Sequence, residues 1–336
     1  MNPRSIDVIR SAELIIHRLL AVNAGEQVAL VCDPHSAREM VYALAGVVES
    51  VGAEYTILMQ PTRPTGRKND LTPVIERGLE AADCLIGLTG SCGAPTYATA
   101  VKRLYNEKRL RTISMVMRTL DNFTEGAARA DYDALYADGQ RLAAVWREAA
   151  FIHLTTPAGT DLRAPIAGEE VIIECGFATE PGLEAAFSDG EVSQMPREGT
   201  AEGVVVVDGP IAHVGQPDSP ITLQVEGGRI TAVSGDCRQA DELRHIITTI
   251  PNADNIAEIG IGLNPDSRRN GDFEEEKKAR GNVHVAIGDN VFYGGDVRCN
   301  VHMDMVLYQP TVRLNDRVVV EMGQVRLDWS EIETGD

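Results

Sequence analysis

The six cysteines of this 336-residue chain, Cys32, Cys84, Cys92, Cys175, Cys237 and Cys299, include no C-x-x-C pair. That scatter excludes a zinc knuckle and gives no disulfide framework, so the sulfurs read as reduced thiols in apolar surroundings. No apolar run approaches the roughly 18 residues of a membrane-spanning helix, and Asp7 and Glu13 interrupt any leader-like stretch near the start. A cytoplasmic location is the expectation. Positive charge is also scarce: 31 Lys and Arg against 50 Asp and Glu leave a formal charge of -19. Nucleic acid and anionic membranes would be repelled, which leaves a small molecule or short peptide as partner. Signatures of nucleotide and protease chemistry are missing too. The turn after the first apolar run is CDPHS rather than G-x-G-x-x-G, and neither a phosphate loop nor an H-E-x-x-H helix occurs. TGSCG, from Thr89 to Gly93, lacks the glycine that a nucleophile elbow places two residues before its serine, here Ser91. It reads as a strand-to-helix turn, and His17 and His35 read as structural or solvated.

The first part of the chain alternates helix-like and apolar segments. Helical patterns over Ser5 to Val22, Ala37 to Val51 and around residues 71–81, 96–108 and 131–149 separate the runs QVALVCD, AEYTILMQ, ADCLIGL and RTISMVM. Continuous apolar strands between helices predict an open parallel sheet covered on both faces. Beyond residue 150 the pattern changes to short alternating strands. ITLQVEGGRITAVSG predicts a hairpin turning at Gly227-Gly228, and VRLNDRVVVEMG a second turning at Asn315-Asp316, with a helix around Gln239 to Ile247. The reading is an α/β fold in two parts: residues 1–150 as an α/β domain and 151–336 as a β-rich domain.

The chemistry-bearing residues concentrate in the second part. Glu191 lies in DGEVSQMP, Glu258 in IAEIGIGLNP, His284 in GNVHVAIGDN, and His302 and Asp304 in NVHMDMVL. Burying an ionisable group in an apolar strand is costly unless it is paired or binds metal. His302 and Asp304 are two apart, so they share one face of a strand. Two imidazoles and three carboxylates suit zinc, manganese, cobalt or iron, and suffice for two ions if one carboxylate bridges. Each also has a plainer role, such as an ion pair of Asp304 with Arg298 or Arg313. Arg163 and Arg197 are candidates for binding an anionic substrate, since a guanidinium suits carboxylates. The run FEEEKKAR, Phe273 to Arg280, reads as exposed and mobile, with Glu275 or Glu276 orienting a ligand as the alternative. The turn GDNVFYGGD reads as bordering the site, its glycines admitting a ligand.

In order along the chain, TPAGTDL, DGEVSQMPREGTAEG, EIGIGLNP, GNVHVAIGDN and HMDMVL resemble the aminopeptidase T-like metallopeptidases. That resemblance implies a metal-binding β-rich domain, two divalent ions (Zn, Mn or Co) held by Glu191, Glu258, His284, His302 and Asp304, and a homodimer. It also implies hydrolysis of an amide or peptide bond by a metal-activated water, with Glu258 as a possible general base. The family's tyrosine corresponds to Tyr293, two residues later than the pattern, as a catalytic oxyanion stabiliser. GTDLRAPIAGEE and CGFATEPG instead resemble the iron-dependent 2,5-dihydroxypyridine 5,6-dioxygenases, which imply a ring-cleaving reaction at a single Fe(II). Those enzymes have a histidine where this chain has Glu258, so His284, His302 and Asp304 form the alternative triad. A third reading is a metal-free binding protein in which the same residues form salt bridges.

Overall fold

The structure is a computed structural model that describes residues 3–63, 70–90, 93–116 and 119–327. Ser91 and Cys92 lie outside the described residues. Two compact units are present, one of Met1–Ala130 with Cys175–Asp189, the other of Asp131–Glu174 with Gly190–Asp336. The chain therefore crosses between units three times, where the sequence pattern had placed one boundary at residue 150.

In the first unit, the apolar runs form a parallel sheet in the order Glu54–Met59, Gln27–Cys32, Cys84–Thr89, Arg111–Val116, Glu184–Ala186. Its core includes Val31, Ile75, Leu79, Leu85, Val101 and Leu104, each fully buried large aliphatic stabilising by roughly 1.5–3 kcal/mol. Helix Pro73–Gly78 starts where Thr72 Oγ1 accepts the Ile75 N–H and Pro73 takes the first turn. Helix Pro3–Glu13 widens into a π-helical segment over Leu14–Leu19, and Arg38–Ser50, Thr99–Asn106 and the second unit's Tyr132–Arg147 fall within the predicted helical spans. Strand Glu54–Met59 departs from expectation. It is an edge strand with Tyr55 41% and Met59 60% exposed. Cys32 and Cys84 are buried thiols, and Cys237 and Cys299 are half-buried. His17 and His35 are exposed.

The second unit contains two antiparallel sheets. The eight-stranded one carries both predicted hairpins: Ile221–Glu226 pairs with Arg229–Ser234 across Gly227 (φ 56°) and Gly228 (φ 71°), and Thr311–Leu314 with Arg317–Glu321 across Asn315 (φ 52°). The five-stranded sheet runs in the order His302–Leu307, Val283–Gly288, Ile256–Gly262, Glu191–Gln194, Ile172–Glu174. Among the described residues no helix is long and apolar enough to cross a membrane.

Candidate metal centre

Four neighbouring strands of the five-stranded sheet carry Glu191, Glu258, His284, His302 and Asp304. In antiparallel pairs, residues directly opposite each other share a face, as do residues two apart on one strand. Glu191 faces Gly262, Gly260 faces His284, and Ala286 faces both Glu258 and Asp304. All five candidates consequently project from one side. The alternate positions, Ile259, Ile261, Val283, Val285, Ile287, Met303 and Met305, are buried on the other. Small residues keep the ligand face open. A Cβ on Gly260 would lie 2.2 Å from His284 Cε1, and one on Gly262 would lie 2.4 Å from the Ala279 carbonyl oxygen and 2.7 Å from that of Lys277.

Two overlapping groups result. Glu191, Glu258 and His284 offer ligand atoms within 4.8 Å of one another, and so do Glu258, His302 and Asp304. Glu258 links them, with Oε1 2.8 Å from His284 Nε2 and Oε2 2.9 Å from His302 Nε2. His284 Nε2 is 3.8 Å from Glu191 Oε2, and His302 Nε2 is 3.4 Å from Asp304 Oδ1. His302 Nδ1–H donates to the Asp289 carbonyl at 2.7 Å, which leaves Nε2 as the ligand atom of the neutral ring. The residues of the alternative triad divide between the two groups, His284 in the first and His302 with Asp304 in the second.

The electrostatics are those of a tightly paired cluster. Burial alone would lower both imidazoles, yet the carboxylates of Glu191 and Glu258 around His284, and of Asp304 and Glu258 around His302, hold them above the ordinary histidine range. Burial would raise the three carboxylates, and it is outweighed by Lys277 and Lys278 at Glu191, by His284 at Glu258, and by Lys277 at Asp304; all three sit below the usual range. Asp304 Oδ1 is buried with no aligned hydrogen-bond donor among the described residues. A convergent set of imidazole and carboxylate donors, one oxygen of which lacks a donor, fits a divalent first-row metal.

Tyr293 lies beside this set. Its ring stacks on His302 with centroids 6.1 Å apart, and its Oη accepts the Ser193 hydroxyl at 3.3 Å. Burial and then the nearby Glu258 push its hydroxyl well above the ordinary range, so it stays protonated. The glycine-rich turn brings Tyr293 to the site, but Gly295 is required by Asn290, whose amide carbon would be 2.3 Å from an added Cβ. Arg163 is exposed on the eight-stranded sheet, 3.5 Å from Asp161, and Arg197 is exposed in a loop, its N–H donating to Pro165. Neither side chain touches the cluster among the described residues.

The run FEEEKKAR is not an exposed segment. Glu275, Glu276 and Lys278 are buried. Arg268 holds Glu275 in a two-pronged pair at 2.9 and 3.0 Å, and Tyr308 donates to Glu276 at 2.5 Å. Lys277 Nζ is 3.0 Å from Asp304 Oδ2, the place expected for Arg298 or Arg313. These two lysines are functional candidates missed by motif reading. The available signal was a Lys-Lys step beside a ligand set with more carboxylates than cations.

The profile of the family NicX: 2,5-dihydroxypyridine 5,6-dioxygenase matches residues 15–327. A 2,5-dihydroxypyridine 5,6-dioxygenase of Pseudomonas putida KT2440 is 25% identical over 343 residues, an alignment covering 92% of this chain and 93% of that protein. Among solved structures, 2,5-dihydroxypyridine dioxygenase from Pseudomonas putida KT2440 is similar with a TM-score of 0.81 at 22% identity, covering 96% and 97% of the two chains. Wild-type AmpT from Thermus thermophilus is similar with a TM-score of 0.70 at 17% identity, covering 95% and 99%. Both structural likenesses are likenesses of fold, while the sequence profile spans nearly the whole chain. The α/β protein with its two-histidine, three-carboxylate sheet face therefore belongs to the NicX family of 2,5-dihydroxypyridine 5,6-dioxygenases.

Proposed function

We propose that this chain is an Fe(II)-dependent ring-cleaving dioxygenase acting on a small dihydroxylated heteroaromatic of the 2,5-dihydroxypyridine type. The observation that carries the reading is the His302–Asp304 pair beside Glu258, with the imidazole fixed from behind by Asp289, in a chain that matches this family from residue 15 to 327. His302, Asp304 and Glu258 would hold the ion. When bound, iron supplies the electron transfer to dioxygen that opening an aromatic ring requires. Glu258 adds a negative charge to the holding set. The protonated Tyr293 hydroxyl accepts from Ser193 and keeps its own proton to donate to a substrate oxygen, and its ring flanks His302 as a wall for a planar substrate. The ring-opening reaction breaks one ring bond and takes up both atoms of one O2. Amide hydrolysis, the expectation drawn from the peptidase resemblance, is supported by likeness of fold alone.

The test is oxygen uptake by anaerobically purified, Fe(II)-loaded protein offered 2,5-dihydroxypyridine, with aminoacyl anilides offered to Zn(II)- or Co(II)-loaded protein in parallel. The expected result is substrate-dependent consumption of one O2 per ring, reduced at least about 100-fold in His302→Ala. Anilide hydrolysis without oxygen uptake would overturn the reading.

A further inference from the structure

Strand Glu54–Met59 is the outermost strand of the parallel sheet, and among the described residues no strand pairs with its free edge. Such an edge presents a row of backbone donors and acceptors, which soluble proteins blunt with Pro, Lys, a bulge or a very short strand. None of these devices is present here. EYTILM has neither Pro nor a basic residue, and all six residues pair with Gln27–Cys32 in unbroken register. Its side chains alternate between faces. Leu58 joins the core with Ala29, Val31, Ile75 and Leu79, while Tyr55, Ile57 and Met59 lie on the other face beside Val28, Leu30 and Cys32. Helix Arg38–Ser50 packs over these two strands and has no residue in that core, so it covers the second face. It turns Tyr42, 64% exposed, together with Gly46 and Glu49 to solvent. A mid-helix glycine weakens a helix relative to alanine. Nothing inside this fold requires one at position 46, since an added Cβ would meet no atom within 4 Å. What the glycine provides is room on the outside of the helix.

We propose that this edge and this helix are the interface with a second copy of the chain, related by a two-fold axis through Ile57. The two edge strands then pair antiparallel, and two five-stranded sheets become one of ten strands. Directly opposite residues share a face in such a pair. Each exposed Tyr55 is covered by the second copy's Met59, an aromatic ring against a thioether, and Ile57 meets its own counterpart. The helix points to the same axis independently. It returns antiparallel to the strand with a rise of about 1.5 Å per residue against about 3.3 Å, which sets Leu44, near its middle, level with Ile57. About that level Tyr42 lies opposite the second copy's Gly46, whose missing side chain receives the ring, and Arg38 lies opposite Glu49. Arg38 and Glu49 are exposed, and neither has an ion-pair partner among the described residues. Glu39 stands about 80° round the helix from Glu49, so the two acids do not face each other across the axis. Helices seated over the outermost strand pair stand about one strand spacing from the axis, hence about 10 Å apart, an ordinary distance for packed helices.

Sedimentation equilibrium and light scattering of the full chain at micromolar concentration test this. Wild type should form particles with an even number of chains. Met59→Lys and Gly46→Arg should each halve that number or weaken the association at least about 30-fold. Arg38→Glu should weaken it as well, and Arg38→Glu combined with Glu49→Arg should restore it. All four positions are exposed, so circular dichroism should stay that of wild type. Ile57→Cys should give an interchain disulfide on mild oxidation, because the two copies of this position face each other across the axis. A monomeric wild type, particles with an odd number of chains, undiminished association in Met59→Lys and Gly46→Arg, or a charge swap that fails to restore what Arg38→Glu removes would each overturn the proposal. None of these outcomes touches the metal-dependent reading, whose residues lie in the other unit.

Discussion

Gly260 decides whether His284 fits at all, because the imidazole occupies the space where any other residue would place its Cβ. Gly260→Ala should cost about 1–3 kcal/mol as overpacking at a buried site, measured by urea unfolding. If the ion sits with His302, metal content should be unchanged in this variant, even though His284 is displaced. That the five candidates converge on one sheet face was legible in the sequence because a strand alternates: an ionisable residue at a position whose neighbours are Val, Ile or Met must be paired or coordinated. Lys277 and Lys278 were not, because a stretch of Glu, Lys and Arg looks solvated whenever its partners lie far away in the chain. Here those partners are Glu191 and Asp304.

At the level of elements, regular strands and turns were readable and edges were not. Apolar runs gave the central strands of the parallel sheet, and paired glycines gave the hairpin, since each depends on a few adjacent residues. Strand Glu54–Met59 looks equally apolar but lies at the sheet margin, which depends on strand order rather than local composition. Strand Glu184–Ala186 is three residues long and joins the sheet after an excursion into the other unit, so no periodicity could reveal it. Its first residue makes a prediction. Burial raises the Glu184 carboxyl to about 7, against the attraction of Lys102. Because the folded state keeps this proton more tightly than the unfolded chain, stability is greatest below the ordinary glutamate range and declines as pH climbs from about 4.5 toward 7. Glu184→Gln should match wild type near pH 5 and exceed it by about 1–2 kcal/mol at pH 8, seen in thermal melts at both pH values.

For the whole molecule, a ligand that binds only the folded chain raises its stability by mass action. Mn(II) at about 100 times its dissociation constant should add about 2.7 kcal/mol, raising Tm in a concentration-dependent way that disappears in His302→Ala; differential scanning calorimetry reads both. A Tm unchanged by Mn(II) would speak against a metal site of useful affinity. Between the strand of Glu191 and the strand of Glu258 that pairs with it, the chain builds three strands of the other sheet and the helix Arg238–Thr249. The ligand face thus closes only after a long detour has been arranged, and such non-local pairing is slow relative to helix formation. On the metal-dependent reading proposed above, metal capture would therefore follow the assembly of this unit in a newly made chain and would not seed it.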